Sequence, residues 1–539
     1  MGAPCQSRVS VWGPALVIVL AALTLRVPRL DQRPMHGDEA NQAVRTGILL
    51  DSGVYHYDPS DHHGPVLYFA ALPFCRATAA CFAETTEWNY RLVPVAFSGL
   101  TLLLMLGLGV RSNGGLFPNR AGLLAAMALT AVSPAMVYYS RFFIQETMFV
   151  TFLTGMLVCA VRVVRARERG LTRQAAGFAG GVGAFAGLAF ATKETVVLSL
   201  AAAGVAALAA CGWRPLWREA RSRDALWALA AAALVAVLLY TSFFTYPQGL
   251  YDALFSTVSA YFKRATAVPE HQHPWDFYLK ILFWFKYGRG PVWSEAGLLL
   301  PAAVALVAAF WPARRAVTPD AAQQAPAQRA TRWVRFLGVY TLVLTALYSL
   351  IPYKTPWCGL TFLHGYILLA GVGTGNVLEA VRGCPKIARV AVQTLVAALV
   401  GLLVWRHSAQ ACRACFKYPA DPRNPYVYAH TGSDAMNLVA AVDAAARSAD
   451  GYATLIALAV PTPDTWPLPW YLRKYANVGY WTRVEEIPES FKPAVVIASA
   501  DQGDVADARF GAGKRASFFG IRPGVLLNVF VPVREPGGK

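Results

Sequence analysis

A chain of 539 residues in which 56% are hydrophobic and only 15% charged, with a mean hydropathy of +0.39, is too apolar for a soluble globular protein and reads as a polytopic membrane protein. Its formal net charge of +18 does not call for nucleic acid: the arginines sit in short gaps between apolar runs, and no basic, aromatic-interleaved soluble domain accompanies them. The nine cysteines show no paired metal spacing, and the one CxxC, Cys412 with Cys415, stays open between inert thiols and a local disulfide.

In chain order, the first apolar run (11–25) lacks a small-residue cleavage site and continues into Arg26-Val27-Pro28-Arg29-Leu30, so it is predicted to be an uncleaved anchor. At about 20 apolar residues per crossing, about eleven transmembrane helices are predicted, near 11–30, 91–110, 120–138, 147–163, 175–192, 195–212, 225–244, 294–311, 333–351, 359–381 and 389–405. Arginine-rich gaps follow every second span: Arg111 and Arg120, Arg162 to Arg173, Arg214 to Arg223, Arg314 to Arg335, and Arg382 to Arg389. The positive-inside rule makes all five cytoplasmic. The apolar stretch 66–83 contains Pro73 and Arg76 and would break that alternation as a span, so it is predicted to lie along the outer interface. The amino terminus is then cytoplasmic, and 31–90, 139–146, 193–194, 245–293, 352–358 and 406–539 face outward.

The fold class expected is therefore mainly α: a transmembrane domain over 1–406, a connector over 407–430, and a small extracytoplasmic α/β domain over 431–539. In that last part Asp434 to Ala449 has helical periodicity, while Ala453 to Val460, Ala494 to Ser499 and Gly524 to Val533 read as strands. No phosphate-binding glycine pattern opens any of its helices. The run Trp466-Pro467-Leu468-Pro469-Trp470-Tyr471-Leu472-Arg473 suits either stacking on sugar rings or a turn packed on the domain core. Outer loop 245–293 interleaves Trp275, Phe277, Tyr278, Phe283, Trp284 and Phe285 with Lys263, Arg264, Lys280 and Lys286. It reads as an aromatic belt or as a lid over a lipid-facing site. The stretch 314–332 reads as a plain linker.

A charge held at bilayer depth costs roughly 2.5 to 3.5 kcal/mol on insertion scales, yet clusters of them recur at the outward ends of spans. They are His36-Gly37-Asp38-Glu39, Arg141 with Glu146, Lys193-Glu194 and Tyr353-Lys354-Thr355-Pro356-Trp357. Adjacent acids on a helix point about 100° apart, so Asp38 and Glu39 cannot face the same substrate atom. As a surface pair they would be explained by the helix dipole alone; Glu146 and Lys193 at other span ends are not. One or two carboxylates among several cations suit transfer from a sugar phosphate. Hydrolysis of an ordinary glycoside needs a second carboxyl as acid, whereas a phosphate leaving group needs only charge stabilisation. Asp38 or Glu39 is then the catalytic base, with Arg141, Lys193 and Lys354 on the phosphate. Because nucleotide sugars are cytoplasmic, an outward site draws on a sugar carried by a lipid phosphate. His36, His56, His62, His63, His271 and His273 also fall on the outer side. Glu146, Glu194, His62, His63, His271, His273, Trp357 and Asp58 are substrate-binding candidates, the last first of all a turn former with Asp61. No cofactor is required; a divalent metal beside Asp38 or Glu39 stays open, although no HxxxH spacing appears.

The motifs just quoted, with Gly64-Pro65-Val66-Leu67-Tyr68 and Arg91-Leu92-Val93-Pro94, resemble the GT-C membrane glycosyltransferases. That group includes the protein O-mannosyltransferases of glycosyltransferase family 39 and the aminoarabinose lipid A transferases. With Tyr57-Asp58-Pro59, His63-Gly64-Pro65, Tyr138-Tyr139-Ser140-Arg141-Phe142-Phe143-Ile144-Gln145-Glu146 and Thr192-Lys193-Glu194-Thr195, the chain is similar more closely to the flippase-activity-associated family first named from archaeal N-glycosylation. The resemblance runs from about 10 to 405 and more loosely through Tyr428-Ala429-His430-Thr431 and the 466–473 run. It implies inverting transfer from a polyprenyl-phosphate sugar to a glycan, lipid or protein acceptor, in a cell membrane and in the company of other glycosylation proteins. It implies Asp38 as base and Arg141 on the lipid phosphate; Glu146 stands where relatives often have Asp. Three functions compete: the transferase, a transport role for lipid-linked sugars, and a non-catalytic subunit that binds the carrier. A transporter would be expected to show repeated halves with broken helices at mid-membrane, and no such repeat is visible.

Overall fold

The computed structural model describes residues 11–59, 63–256, 271–311 and 321–533. It is mainly helical. In chain order the helices are α1 (Trp12–Arg26), α2 (Gly37–Ser52), α3 (Val66–Arg76), α4 (Glu87–Leu108), α5 (Arg120–Val132), α6 (Pro134–Tyr139), α7 (Glu146–Glu168), α8 (Thr172–Phe190), α9 (Val196–Cys211), α10 (Trp213–Ala220), α11 (Arg223–Tyr240), α12 (Phe277–Phe283), α13 (Leu299–Phe310), α14 (Ala321–Leu350), α15 (Leu360–Ala380) and α16 (Lys386–Cys412). A helix stands at each position where apolar length predicted a span. Six segments among the described residues are long and apolar enough to cross a membrane: Glu87–Leu108, Glu146–Glu168, Arg223–Tyr240, Gln328–Leu350, Pro356–Ala380 and Lys386–Lys417.

Three predicted segments change. The stretch 314–332, expected to be a plain linker, is helical from Ala321 onward as the first part of α14, and 312–320 lie outside the described residues. The span expected over 120–138 is two helices, because Pro134 supplies no N–H and opens α6 at its first turn, where Ser133 Oγ accepts from the N–H of Met136. The stretch 66–83 is helical only to Arg76. Its 11 residues rise about 16 Å, too little to cross a bilayer, and it packs on α2 and α4.

Helix α15 is the centre of the bundle, buried continuously from Leu360 to Gly375. Its neighbours are α13, α5 and α14. Backbones touch there because glycine leaves room: a Cβ on Gly373 would lie 1.8 Å from the Pro301 carbonyl oxygen.

The C-terminal part contains α17 (Asp434–Arg447), β1 (Ile456–Ala459), β2 (Val478–Trp481), β3 (Val495–Ser499), α18 (Gly503–Phe510), β4 (Lys514–Arg522) and β5 (Val525–Pro532). The strand order is β2-β1-β3-β5-β4, parallel through β2-β1-β3 and antiparallel through β3-β5-β4. Strand alternation decides the two faces: Ile456 and Leu458 pack with Leu438 and Val442 of α17, while Ala457 and Ala459 pack with Ala506 of α18. The predicted helix and three buried strands appear; β2 and β4 escaped because they are half exposed, β2 being only 4 residues long and β4 mixing basic with apolar residues. The 466–473 run is a packed turn rather than an open sugar platform: Leu468 and Trp470 are fully buried, and Trp470 lies against Tyr90 and Phe82 of the helical part. The CxxC is not a disulfide; Cys412 is exposed, Cys415 buried, and both thiols are free.

Candidate active site

The segment from α1 to α2 is held by arginines acting on backbone carbonyls. Arg141 donates from Nη1 to the carbonyls of Arg26 (2.6 Å) and Pro28 (2.7 Å) and from Nη2 to that of Arg29 (3.0 Å). Arg91 donates to the carbonyls of Leu30, Arg33 (2.8 Å) and Pro34 (3.2 Å). These carbonyls lie at and just beyond the C-terminus of α1, where orphan acceptors and the negative end of the dipole favour a cation. The terminal nitrogens of Arg141, the residue expected to meet lipid phosphate, fix the connector between α1 and α2.

Arg91 also reaches Glu39, making a forked pair from Nε to Oε1 and from Nη2 to Oε2, both 2.8 Å. Arg33 Nη2 adds a contact at 2.9 Å to Oε2. The N–H groups of Phe143 (3.0 Å, to Oε1) and His36 (3.1 Å, to Oε2) complete the set. Glu39 is wholly buried. Burial alone would raise its pKa, but Arg33 and Arg91 outweigh it and bring the carboxyl down to about 2. No lone pair of Glu39 remains for a substrate.

Asp38 is placed differently. His36 caps α2: its Nδ1 accepts from the Asp38 N–H at 3.0 Å, so Nε2 carries the proton and donates to the Tyr428 carbonyl at 3.0 Å. Burial holds the ring below its ordinary pKa, in its neutral form. It is walled by Phe142, Trp357 and His430, at ring distances of 5.2, 5.9 and 5.0 Å. The Asp38 carboxylate lies 3.8 Å from His36 Nδ1, beyond hydrogen bonding, and is 40% exposed. Of the two adjacent acids, one is sealed and one is open.

The remaining clusters converge on the same end of the bundle. Lys193 Nζ pairs with Glu146 Oε1 and lies 3.4 Å from Cys358 Sγ, next to Trp357. Among the described residues the buried Glu146 Oε2 has no hydrogen-bond partner. Glu194 Oε2 meets His63 Nδ1 at 2.6 Å, a contact made possible by Gly64, whose Cβ would fall 2.3 Å from the Ala191 carbonyl oxygen. Lys354 Nζ donates to the carbonyls of His273 (2.9 Å) and Ile351. His271 and His273 both contact Tyr428 Oη, and Trp357 lies 5.9 Å from the Tyr428 ring. The latter half of loop 245–293 is thus anchored through bridges of Gln272 with Tyr353 and of Phe285 with Trp293. Asp58 is exposed at the end of a described stretch. His62, Asp61, Lys263 and Arg264 lie outside the described residues.

Sequence reasoning did not find Arg33 as part of this site, and saw Arg91, Tyr428, His430 and Tyr471 only as members of motifs. Their partners are backbone groups or buried acids far along the chain, which leave no local pattern. No group of three or more His, Cys, Asp or Glu able to hold a metal occurs among the described residues. Both nitrogens of His36 are bonded and Glu39 is enclosed, so neither is free to take a metal beside Asp38.

Below this end runs an apolar cleft of about 730 Å³ between α7, α8, α9, α11, α14 and α15. It extends along α7 from Val150 to Glu168, about 27 Å of helix. Near the acid-bearing end it contains Thr154, Thr361 and His364; at the opposite end it reaches Arg167, Glu219, Asp224 and Arg329. Among the described residues the buried His364 Nε2 has no hydrogen-bond partner.

The dolichyl-phosphate-mannose-protein mannosyltransferase family matches residues 63–243. No curated protein matches the sequence. Among solved structures, ArnT from Cupriavidus metallidurans bound to undecaprenyl phosphate is similar with a TM-score of 0.61 at 13% identity, covering 96% of this chain and 98% of that one. The archaeal oligosaccharyltransferase AglB from Archaeoglobus fulgidus, in complex with an inhibitory peptide and a dolichol-phosphate, is similar with a TM-score of 0.51 at 11% identity, covering 96% and 74%. The chain carries the GT-C fold of membrane glycosyltransferases.

Proposed function

We propose that this protein transfers a sugar from a polyprenyl-phosphate donor to an acceptor hydroxyl or other nucleophile on the outer face of the membrane, with inversion, and that Asp38 is the general base. The observation carrying this reading is the opposite state of the adjacent acids: Glu39 is enclosed by Arg33, Arg91 and two N–H groups, while Asp38 stands 40% exposed beside it. Glu39 becomes a positioning residue. Asp38 takes the acceptor proton as the oxygen attacks the anomeric carbon, and the phosphate leaves from the opposite face without needing an acid. Its charge meets the cations gathered here. Among the described residues, Lys193 and Lys354 each retain an N–H beyond those they donate, and the buried Arg33 Nη1 has no hydrogen-bond partner; Arg141 contributes its field from the connector. Glu146, Glu194, His63, His271, His273, Trp357 and Asp58 surround the sugar and acceptor. The lipid tail lies in the apolar cleft, whose length approaches the bilayer core of about 30 Å. The lipid phosphates in the ArnT and AglB structures support the donor class.

Asp38→Asn in purified full-length protein, offered a panel of polyprenyl-phosphate sugars, tests the base. Transfer should fall by roughly 10²- to 10⁴-fold with lipid binding kept; undiminished transfer would sink the assignment. The reach of the cleft to the Arg167 end favours a second reading, a flippase-associated role for lipid-linked sugars. Lipid flipping that persists in Asp38→Asn, with no sugar ever transferred by the parent, would favour it.

A further inference from the structure

The turn that carries Asp38 is bordered by the C-terminal sheet as well as by the helical bundle. A Cβ on Gly37 would lie 3.4 Å from Trp466 Cβ and 3.6 Å from Arg522 Nη1. Met35 donates its N–H to Tyr471 Oη at 2.8 Å, and its carbonyl accepts from Thr431 Oγ1 at 2.7 Å. Arg522 ends β4 and is fastened through one nitrogen: Nη2 donates to the Pro463 carbonyl and, at 2.6 Å, to Asp464 Oδ1. Because guanidinium is a rigid planar fork, fixing Nη2 also fixes Nη1. Nη1 is the nitrogen beside Gly37, and among the described residues no hydrogen bond engages it. The Arg522 side chain is 18% exposed and that of Asp38 40%, so solvent reaches both.

The donor enters from the membrane, so an acceptor approaches Asp38 from the side where the C-terminal sheet stands. Arg33 and Arg91 pair with Glu39, whereas Arg522 Nη1 stands beside Gly37. We propose that Arg522 is a specificity-determining residue of the acceptor site, binding an anionic oxygen group carried beside the accepting hydroxyl and so presenting that hydroxyl to Asp38. The proposal rests on Asp38 as base, and its test needs no transfer.

In full-length protein with exposed Cys211, Cys384 and Cys412 replaced by serine, Asp38→Cys is modified with an anionic (sulfonatoethyl) or a cationic (trimethylammonioethyl) methanethiosulfonate. The anionic-to-cationic rate ratio should fall about three- to tenfold on Arg522→Gln, as loss of one nearby charge dictates, and be kept in Arg522→Lys. Glucose 6-phosphate and glucuronate should slow modification of the cysteine while methyl glucoside does not, and Arg522→Gln should abolish that protection. An unchanged ratio, or equal protection by charged and neutral sugars, would overturn the proposal. Loss of transfer in Asp38→Asn is a separate result: it can fail while the charge ratio still moves.

Discussion

Two carboxylates one residue apart have opposite surroundings here because a helix turns successive side chains about 100° apart. Glu39 faces the bundle and completes a buried forked pair with Arg91; Asp38 faces the opening. Removing one partner of such a pair leaves the other charge uncompensated, at about 3–5 kcal/mol. Glu39→Gln should therefore lower the unfolding midpoint of the solubilised protein markedly, whereas Asp38→Asn should leave it nearly unchanged while transfer is lost. Acid distinguishes the groups as well. Glu39 has its carboxyl depressed to about 2 from an ordinary 4.5, so its contribution is present above about pH 4.5 and lost as pH falls towards 2. His36 is depressed from 6.5 by burial, countered by Asp38 and Glu39. The unfolded chain takes up that proton first, and stability declines as pH falls below 6.5. His36→Asn keeps a capping oxygen but cannot titrate. Its melting temperature should decline less steeply than the parent's between pH 7 and 5, the remaining slope including His430, which burial depresses in the same direction.

At the scale of elements, the sequence showed where helices lie but not how closely they approach. A helix stands wherever apolar length predicted a span, since a long apolar run is a strong local signal, and six of the described segments are long enough to cross a membrane. The break at Ser133-Pro134 was legible in principle, as proline opens helices well and continues them poorly. The acceptors of Arg141 were not legible: they are the carbonyls of Arg26, Pro28 and Arg29, and carbonyls are the same at every position of a sequence. The small-residue run Gly371-Val372-Gly373-Thr374-Gly375 also carried a signal, since membrane helices pack closely through small residues. A Cβ on Gly371 would lie 2.6 Å from the Gly122 carbonyl oxygen, and one on Gly373 1.8 Å from that of Pro301. Gly373→Ala should therefore destabilise by about 1–3 kcal/mol through overpacking. Gly401→Ala on α16, where a Cβ meets nothing within 4 Å, should be neutral or stabilise by up to about 1 kcal/mol. Thermal unfolding of the two variants side by side checks the contrast; equal losses would mean that α15 does not depend on backbone contact.

For the whole molecule, the arrangement of charge was the most legible property and the contacts of the C-terminal part the least. Acid clusters scattered from Asp38 to Lys354 meet at one end because alternate span ends share a side. Their junction with Thr431, Trp466, Tyr471 and Arg522 depends on pairings across roughly 400 to 490 positions, such as Met35 with Tyr471 and Gly37 with Arg522, which no local pattern encodes. Arg167, Glu219, Asp224 and Arg329 gather at the opposite end in ion pairs. The excess of arginine in the gaps there predicts the cytoplasmic side, and the acid-bearing end with its sheet is then outside. Asp450 is exposed beyond α17, and Ser222 lies in the gap just before α11. With exposed native cysteines replaced, Asp450→Cys should react with a membrane-impermeant thiol reagent on intact cells. Ser222→Cys should react only after permeabilisation. The reverse pattern would place Asp38 on the cytoplasmic side, where nucleotide sugars are at hand, and would remove the reason for a lipid-carried donor.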